Sequence, residues 1–332
     1  MSEVGKNGAG ANRGSRPRAI QIKLPASSAN LGPAFDSAAM ALDLHLHVRA
    51  EVAGAFAVEA RGRDAAFCSK ANGNLILDTY REVLKSAGVA CSPLVLSVDN
   101  EIPVGKGCGS SAAARLAGIA LAVHFGRLNW TEEQILDEAT RREGHPDNAA
   151  ACWLGGLVIV QSNRDQQGRR VHPVRLEVAR DWPMLLVLSP GGLPTGKSRA
   201  LVPMLYGREV VVANLQSAMA LVAAYTLGRE ALFATAQHDA LHQPYRAKAC
   251  PLLPCLQPLA GSAGILAVTL SGAGSSVVLT LREAASQQQV REAVCERMRA
   301  ANLEGELVFT RMATQGACCV ELPERASAGE RA

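Results

Sequence analysis

A run of glycines and serines at residues 103–114 has the composition of a loop that binds phosphate. Glycine lacks a Cβ, so the backbone of such a loop can take positive φ values and approach a ligand closely. A helical spacing of small and apolar residues follows directly, and the first amides of a helix favour an anion because they lack internal partners. The residues expected to contact phosphate are Pro103, Gly105, Lys106, Gly107, Cys108, Gly109, Ser110 and Ser111. Either serine could add a hydroxyl to Mg²⁺, and the alternative is a glycine-rich turn that only caps the helix.

Two further clusters of polar residues could hold a small polar molecule. The first is a turn containing glycine and proline at residues 25–36, where Asn30 and Asp36 lie six positions apart. An ordinary Asx-type turn explains that segment equally well. The second cluster stands at the end of a predicted helix and contains Glu143, His145, Asp147 and Asn148. Because small and apolar residues follow it at positions 149–160, we expect this cluster to lie at the edge of a core and favour a site over a solvated loop.

A second glycine-rich segment, residues 191–198, matches the Walker A pattern of P-loop NTPases and follows an apolar strand. Two prolines argue against that function. Pro194 lies where backbone amides would face the phosphates, and Pro203 would end the following helix after barely one turn. The apolar run at residues 265–270 also ends in Ser-Gly instead of the carboxylate of a Walker B strand. A P-loop NTPase is therefore the least favoured of the functions considered.

Hydrophobic periodicity predicts the elements that would position these residues. Strands are expected at residues 20–24, as a pair within 42–58, and at 94–98, 184–188, 265–270, 277–281 and 318–321. Helices are expected at residues 75–88, 113–126, 131–143, 209–227, 231–241 and 283–301, the third with Thr131 as its N-cap. A polar turn is expected at residues 161–168 and a crossing segment at 171–180. Strands and helices mixed in two halves, without βαβ repetition, indicate an α+β protein.

Length and composition limit the classes of protein that fit. The chain has 332 residues, which suggests two domains at roughly 150 residues each. It is 48% hydrophobic, and its formal net charge is only +4, with several of the basic residues in the first 18 positions. That charge and an aromatic content of 4% argue against a basic, base-stacking surface for nucleic acid.

Cysteine usage, the length of apolar runs and histidine spacing add three further expectations. The nine cysteines show no paired CxxC zinc pattern and no apolar signal segment precedes them, so a reducing, cytoplasmic location is expected. No uninterrupted apolar run approaches the roughly 20 residues that span a bilayer, so no membrane partner is expected. His238 and His242 have the spacing of two metal ligands on a helix, but without a third ligand nearby, solvated or capping roles are favoured.

With these segments placed, the chain resembles the GHMP family of small-molecule kinases. That family has three ordered motifs, which are matched here by residues 25–36, 103–114 and 271–276. Three motifs in order are far more specific than any one of them. The Asn-Leu-Gly-Pro-Ala-Phe-Asp form of the first motif, the segment 143–148 and the His-Gln-Pro-Tyr-Arg segment at 242–246 resemble the homoserine kinase branch in particular. The resemblance covers about residues 18–322.

The resemblance implies a two-domain α+β fold, with a left-handed βαβ element in the N-terminal domain, a ferredoxin-like C-terminal domain and the active site between them. The implied ATP-binding domain spans residues 19–170 and the C-terminal domain residues 171–323, with a disordered tail at 1–18 and another tail at 324–332. The implied reaction transfers the γ-phosphoryl group of ATP to the side-chain hydroxyl of L-homoserine, on the route to threonine. A homodimer is an expectation from the family alone.

Carried over motif by motif, the family gives a role to each candidate residue. The loop 105–111 would wrap the ATP phosphates, Ser111 and Glu143 would hold Mg²⁺, and Asn74 would contact the adenine. Homoserine would be held by Asn30, Asp36, His145, Asp147 and Asn148, and its carboxylate by Arg199 and Arg246, because a guanidinium pairs bidentately with a carboxylate. The candidate catalytic residues are thus Ser111, Glu143, Asp147 and Asn148. Asp147 and Asn148 are expected mainly to position the substrate, because phosphoryl transfer through a loose transition state needs no strong base. The segment 191–199 becomes the substrate loop, and Lys197 is incidental.

Three positions depart from the usual residues of the family. Cys108 replaces a leucine, Ala34 a common glycine and Ser275 a common proline. A methyl group at Ala34 requires a negative φ there, and the thiol of Cys108 could make the protein sensitive to oxidation. Two alternatives stay open: a GHMP kinase that acts on another alcohol such as mevalonate, and a GHMP-like protein that binds a ligand or partner without catalysis.

Overall fold

The computed structural model describes residues 19–165, 168–193 and 195–322, so Pro194 and both expected tails, 1–18 and 324–332, lie outside the described residues. The strands are β1 (Ala19–Ala29), β2 (Ala38–Val52), β3 (Ala57–Gly62), β4 (Leu94–Asn100), β5 (Leu157–Asp165), β6 (Gly168–Leu176), β7 (Pro183–Leu188), β8 (Ile265–Leu270), β9 (Ser276–Leu281), β10 (Glu306–Arg311) and β11 (Cys318–Leu322). The helices are α1 (Ala65–Cys68), α2 (Leu75–Ser86), α3 (Ser110–Gly126), α4 (Glu132–Glu143), α5 (Asp147–Leu154), α6 (Thr195–Arg199), α7 (Arg208–Leu227), α8 (Phe233–Ala236), α9 (Gln243–Arg246), α10 (Leu252–Leu256) and α11 (Gln287–Ala300). Short 3₁₀ turns lie at Glu230–Leu232, Ala247–Ala249 and Gln257–Leu259.

Seven strands form the first sheet, in which β11, β1, β2, β4 and β3 follow one another, while β5 pairs with β2 and β6 with β5. β1 and β2 are an antiparallel hairpin whose turn carries the first polar cluster. β3 runs parallel to β4, with α1 and α2 in the connection, which is the expected βαβ element. The expected pairing within residues 42–58 is therefore wrong, because alternation of apolar residues identifies a strand but not its neighbour.

The second sheet has four strands in the order β10, β7, β9, β8, and every adjacent pair is antiparallel. Along the chain, β7 is joined to β8 through α7, and β9 is joined to β10 through α11. This topology confirms the expected ferredoxin-like half. The sequence-based prediction lacks β10, whose residues are mostly half-buried and show little alternation. β11 returns to the first sheet beside β1, and β6 crosses the expected domain boundary at residues 170 and 171, so that boundary stays a prediction.

Two further expectations from periodicity are wrong. A helix over residues 231–241 does not form; after the short α8, the Asp239 carboxylate accepts hydrogen bonds from the amides of Leu241, His242 and Gln243. A carboxylate that binds the amides ahead of it starts a new turn and competes with a continuous helix. The segment 161–168 is largely strand instead of turn, because β5 and β6 pair as far as Asp165 and Gly168. β6 likewise occupies most of the expected crossing segment.

α3 lies in the core of the first half and is buried along most of its length. Its small residues allow close packing, since a Cβ built on Gly118 would lie 2.5 Å from the carbonyl oxygen of Ile76 in α2. Trp182, Tyr225 and Phe233 belong to the same large core and contact one another at ring-centroid distances of 4.9 to 5.5 Å. A tightly packed α3 fixes the position of the loop that precedes it.

α7 differs from α3 because one of its faces is apolar and exposed. Among the described residues it is the one helix long and apolar enough, by length and composition alone, to cross a membrane. The apolar stretch is interrupted by Asn214, Gln216 and Ser217. Asn214 is buried, and its side-chain amide donates to the carbonyl oxygen of Pro33 at 2.8 Å. The inner face of α7 therefore supports the turn between β1 and β2.

Candidate active site

A cavity of about 490 Å³ lies where the three motifs meet. The β1–β2 turn, the loop before α3, the start of α5 and the turn between β8 and β9 form its wall. Most of the predicted site residues line it, namely Asn30, Asp36, Asn74, Gly105, Gly107, Gly109, Ser110, Ser111, Glu143, His145, Asp147, Asn148, Arg199 and Arg246. Pro103, Lys106 and Cys108 are not among the lining residues. The fold thus joins residues from both halves of the chain in one site.

Close backbone contacts hold the motifs against one another. A Cβ built on Gly107 would lie 2.2 Å from the carbonyl oxygen of Ser271, and one built on Gly109 would lie 2.0 Å from Oγ of Ser27. The Ser271 hydroxyl donates to the carbonyl of Gly107 at 2.8 Å, and the Ser27 amide donates to the carbonyl of Cys108 at 3.1 Å. Both positions require glycine, because the neighbouring motif leaves no room for a side chain and φ is 77° at Gly107 and 70° at Gly109.

Residues 105–111, called the phosphate loop below, lead into the N-terminus of α3. Gly109 is the N-cap of this 17-residue helix, and no side chain caps its first amides. Unpartnered amides and the positive end of the helix dipole both favour an anion. Since Gly105, Gly107 and Gly109 line the cavity, this part of its wall can bind phosphate.

Ser111 and Glu143 lie in direct contact. The Ser111 hydroxyl donates to Oε2 of Glu143 at 2.9 Å, and Nε of Arg115 donates to Oε1 at 2.7 Å. The Glu143 side chain is only 8% exposed. A hydroxyl and a carboxylate are the oxygen ligands that Mg²⁺ prefers, and that cation usually takes its other ligands from phosphate and water. The pair fits such a shared site, and no group of three metal-binding side chains occurs in the described ranges.

Two arginines and an aspartate form a separate charged group. Nη1 of Arg199 donates to Oδ1 of Asp36 at 2.9 Å, and Nη2 donates to Oδ2. Arg246 is 1% exposed, and its Nη2 has no hydrogen-bond partner among the described residues. Burial and the charge of Arg199 lower the pKa of Arg246 to about 10, so Arg246 remains a cation at neutral pH. A buried cation with an unpartnered guanidinium nitrogen is suited to bind a carboxylate.

Asp147 is the first residue of α5 and is almost fully buried. Its Oδ1 accepts the amide N–H of Asn148 and lies 2.7 Å from Nδ1 of His145. Burial lowers the pKa of His145, but the hydrogen bond to Asp147 and the charges of Asp147, Glu143 and Asp36 outweigh it and raise that pKa. His145 therefore binds a proton more readily than a free histidine and fixes the orientation of the Asp147 carboxylate.

Asn74 lines an apolar part of the cavity with Phe67, Cys68, Gly73, Leu75 and Ile76. Its side chain is the N-cap of α2, because Oδ1 accepts hydrogen bonds from the amides of Ile76 and Leu77. Its Nδ2 donates to the carbonyl oxygen of Cys68 at 2.9 Å. Both polar ends of Asn74 are thus used within the protein, and its contact with adenine stays a prediction.

Lys106 and Cys108 have surroundings that the sequence did not indicate. The Lys106 ammonium donates to the carbonyl oxygens of Ser189, Pro190 and Gly191 at 2.7 to 3.0 Å, which ties the phosphate loop to the segment after β7. Cys108 is fully buried, and burial raises the pKa of its thiol to about 12. Because the thiolate is the species that reacts, this environment argues against the expected sensitivity to oxidation, which stays a prediction.

The other two departures from the family pattern concern the backbone. Ala34 is not among the residues with positive φ, as its methyl group requires. Ser275 has a φ of 75°, a value that proline cannot adopt, so the turn between β8 and β9 differs from one built around proline. The buried hydroxyls of Ser275 and Ser276 have no hydrogen-bond partner among the described residues, and nothing in the structure explains them.

Several residues that support the site are absent from the sequence-based prediction. Ser27 and Arg115 carry no local signal, because their partners Asn148 and Glu143 are distant in the chain. Asn214 could have been noticed as a polar residue inside an apolar helical stretch. The solvated or capping role expected of His242 is wrong, since its side chain is fully buried, whereas His238 is exposed.

The fold and the site together define a small-molecule kinase. Residues 74–156 match the family model of the GHMP kinases N terminal domain, and residues 219–300 match that of the GHMP kinases C terminal domain. The chain is 40% identical to the homoserine kinase of Solibacter usitatus (strain Ellin6076), over 83% of its own length and 88% of that protein. It is 33% identical to the homoserine kinase of Synechocystis sp. (strain ATCC 27184 / PCC 6803 / Kazusa), over 91% of its own length and 98% of that protein.

A solved structure shows the same fold. The crystal structure of homoserine kinase from Cytophaga hutchinsonii ATCC 33406 matches with a TM-score of 0.75 at 22% identity, over 92% of this chain and 98% of that chain. The chain therefore belongs to the GHMP kinases and, within them, to the homoserine kinase family. The resemblance read from the three motifs is confirmed.

Proposed function

We propose that the protein transfers the γ-phosphoryl group of ATP to the side-chain hydroxyl of L-homoserine, giving O-phospho-L-homoserine. One observation carries the proposal: a single cavity contains both a wall suited to phosphate and a charged group suited to an amino acid. Asp36 offers a partner for the α-ammonium group, and Arg199 and Arg246 offer partners for the α-carboxylate. The relatives named homoserine kinase support the same substrate.

The residues of the chain would act mainly by positioning. The amides of the phosphate loop would hold the phosphate groups, and Ser111 and Glu143 would hold Mg²⁺, which neutralises phosphate charge when bound. Asn148, whose Oδ1 accepts the Ser27 hydroxyl at 2.9 Å, and Asp147, which is oriented by His145, would fix the substrate hydroxyl. Because the transition state is loose, alignment of this hydroxyl with the γ-phosphorus supplies much of the acceleration without a strong base.

The charged group also separates this proposal from its alternatives. An alcohol such as mevalonate has a carboxylate but no ammonium group, so it would use the arginines and leave Asp36 without a ligand partner. A protein that only binds a ligand would not need the Ser111–Glu143 contact beside the phosphate loop. Both arrangements therefore favour a kinase that acts on an amino acid.

A coupled assay of ADP release tests the proposal directly. The purified protein is supplied with ATP, Mg²⁺ and, in separate reactions, L-homoserine, L-serine, mevalonate or shikimate. We expect ADP release with L-homoserine and at most slow release with the other three alcohols. Fast ADP release with mevalonate would favour a GHMP kinase that acts on that alcohol. No ADP release with any acceptor would favour a GHMP-like protein that binds a ligand without catalysis.

We also propose that two copies of the chain pair through the exposed face of α7 and the segment before it. The exposed apolar residues here include Met204 at 94%, Leu205 at 88%, Met219 at 74% and Leu215 at 58%, and Leu201, Val210, Val211, Val212 and Leu227 extend the surface. Exposed apolar side chains grouped on one helix and the segment before it mark a surface that binds a partner, whereas isolated ones are ordinary on monomers.

The chemistry of this surface favours a second copy over a membrane or a charged partner. Residues 210–227 contain no charged side chain, and the exposed Arg208 and Glu209 before them have opposite charges, so the face has no cluster of basic residues that would bind anionic lipid or nucleic acid. Val212, Leu215, Met219 and Val222 follow the alternating spacing of three and four residues found in paired helices. Such a face is complementary to itself across a two-fold axis.

Light scattering coupled to gel filtration tests this pairing. We expect the wild-type protein to elute as a dimer and a variant with both Leu215→Glu and Met219→Glu to elute as a monomer. Val174→Glu is the matched control, because Val174 is exposed to a similar degree, 52%, on β6. A monomeric wild type, or a double variant that remains dimeric, would overturn the proposal.

A cytoplasmic location and the division of the chain near residue 170 stay predictions. All nine cysteines are free thiols, which is in keeping with a reducing compartment. Fractionation of cells that make the protein would test its location, and limited proteolysis would test the division.

A further inference from the structure

His242 is a buried residue beside the site, and the proposed reaction assigns no role to it. It directly precedes α9, its side chain is fully buried, and its ring stacks on that of Phe35 with centroids 5.1 Å apart. Phe35 lies beside Asp36 in the β1–β2 turn, and the guanidinium groups of Arg199 and Arg246 both lie over its ring. His242 therefore packs directly behind the residues that would hold the amino acid.

Both ring nitrogens of His242 have partners of defined chemistry. Nδ1 lies 3.2 Å from Nη1 of Arg246, and Nε2 lies 2.7 Å from the carbonyl oxygen of Gly32. A guanidinium can only donate a hydrogen bond and a carbonyl can only accept one. The neutral ring with its proton on Nε2 satisfies both contacts: Nδ1 accepts from Arg246, and Nε2–H donates to Gly32.

This arrangement leaves Arg246 with two guanidinium nitrogens bound inside the protein and the third without a partner in the described part of the chain. Nη1 is held by His242, and Nε donates to the carbonyl oxygen of Ser198 at 3.4 Å, while Nη2 has no hydrogen-bond partner among the described residues. Arg246 lines the cavity, and its buried, unpartnered Nη2 is a donor that a ligand bound there would satisfy. His242 thus fixes which edge of the guanidinium faces the substrate.

We propose that neutral His242 is a positioning residue that orients Arg246 toward the carboxylate of the substrate, and that protonation of its ring sets the acidic limit of substrate binding. A proton on Nδ1 would remove the acceptor for Arg246 and place a cation against a cation. Arg246 would then have to turn away, and the affinity for the carboxylate would fall. Turnover of bound substrate would change less, because His242 does not touch the reacting groups.

The surroundings of His242 support a neutral ring at physiological pH. Burial lowers the pKa of His242; the charge of Arg246 lowers it further, and Asp239 and Asp36 oppose this. The Asp239 carboxylate lies 3.2 Å from Nε2 and also accepts the amide of His242. These groups, with the Gly32 carbonyl, are the charged and polar partners that face the ring from the turn and from the segment around α9. Because this pKa is lowered, the ring of His242 stays neutral until the pH falls below the pKa of an ordinary histidine.

The inference rests on the proposed function, and steady-state kinetics with L-homoserine tests both. KM and kcat are measured from about pH 5.5 to about pH 8.5 for the wild type and for three variants. His242→Asn can keep an acceptor near Nδ1 but cannot titrate. His242→Gln loses that acceptor and can keep a donor toward Gly32. His238→Asn is the matched control, because His238 is exposed four positions earlier.

We expect the wild-type KM for homoserine to rise by up to about tenfold per pH unit once His242 takes a proton, with a smaller change in kcat. His242→Asn should keep a KM near the wild-type value at about pH 8 and show a clearly smaller acidic rise, because only the contribution of His145 remains. His242→Gln should raise KM by about 10–100-fold at every pH, while KM for ATP and the thermal unfolding midpoint stay near wild type. His238→Asn should match the wild type. His145 also titrates, but its contribution is common to all four proteins and cancels in the comparison.

Different results would overturn different statements. An acidic rise in KM that is as steep in His242→Asn as in the wild type, or a His242→Gln variant with wild-type KM, would overturn the positioning role while leaving the proposed reaction intact. An absence of homoserine-dependent ADP release by the wild type at about pH 8 would overturn the proposed function itself, and this inference with it.

Discussion

The protein contains two glycine-rich loops that look alike in sequence and differ in structure. Each loop follows a strand and precedes a helix: the phosphate loop lies between β4 and α3, and residues 191–198, called the Walker-like loop below, follow β7 and run into α6. α3 has 17 residues and a largely buried surface, whereas α6 has five residues, of which only Ser198 is buried. A short, exposed helix has a weak dipole and does not fix its first amides in space.

The atoms around the glycines explain the difference. A side chain at Gly107 or Gly109 would collide with a neighbouring motif, whereas a Cβ on Gly191 or Gly196 would meet no atom within 4 Å. Packing therefore requires glycine at positions 107 and 109 of the phosphate loop, but not at positions 191 and 196 of the Walker-like loop. A pattern of glycine, lysine and serine does not by itself define a phosphate site. The loop must also pack closely against its neighbours and lead into a well-packed helix.

The largest effect in this comparison is expected from Ser111→Ala. Loss of the hydroxyl removes one proposed Mg²⁺ ligand next to the transferred phosphoryl group, so kcat should fall by about 10²–10³-fold. Ser110→Ala is the matched control, since its hydroxyl only accepts the Gly105 amide at 3.3 Å, and a loss below about tenfold is expected. Initial rates at saturating ATP and homoserine measure both. Near-wild-type turnover of Ser111→Ala would remove this serine from the site.

A second, smaller effect is expected from Gly107→Ala. The new Cβ would meet the carbonyl oxygen of Ser271 at 2.2 Å and hold an alanine at a φ of 77°. The free energy of unfolding should fall by about 1–3 kcal/mol, and turnover should fall by roughly tenfold because the loop must shift. Chemical denaturation and steady-state rates measure the two quantities.

Gly191→Ala in the Walker-like loop provides the contrast to that substitution. Open space surrounds the new methyl group, so stability and turnover should both stay near wild type. Equal losses in the two variants would mean that packing does not distinguish the loops.

A third effect is expected from Lys106→Met, which removes the cation that joins the two loops. The carbonyl oxygens of Ser189, Pro190 and Gly191 would lose their donor. The Walker-like loop, which is the proposed substrate loop, would then be held less firmly. KM for both substrates should rise by about 3–10-fold. A large rise in KM for ATP alone would show instead that Lys106 binds phosphate directly, as the sequence-based prediction has it. Lys106→Arg should recover part of the loss, because it keeps a cation at that position.

Much of this comparison could be predicted from local sequence patterns. Strand β4, helix α3 and the strands β7, β8 and β9 lie close to where periodicity predicts them. Thr131 caps α4 and forms a capping box with Gln134. The short α6 agrees with the expectation that Pro203 prevents a long helix after the Walker-like loop. Local patterns report on the nearest few residues, and these features depend on little else.

The remaining features depend on contacts between distant parts of the chain. The carbonyl of Gly107 accepts from Ser271, 164 positions away, and Arg115 binds Glu143 from another helix. β3 pairs with β4 instead of β2, and β11 returns to β1. A single sequence does not state which elements become neighbours, so the glycine requirement at Gly107 and the partners of Arg115 and Lys106 could be found only in the structure.

The smallest effect is expected from Lys197→Ala, at the lysine that a P-loop would use to bind phosphate. Lys197 is exposed and makes no hydrogen bond or ion pair with any residue that the structure describes, whereas its neighbour Ser198 is buried and donates to the carbonyl of Ala273. Its removal should change kcat and both KM values by less than about twofold. Ser198→Ala should have the larger effect of the two, because it frees the substrate loop from the turn between β8 and β9. A Lys197→Ala variant without ATP turnover would reverse the assignment of the two loops, since only a lysine that contacts phosphate could cause that loss at an exposed position.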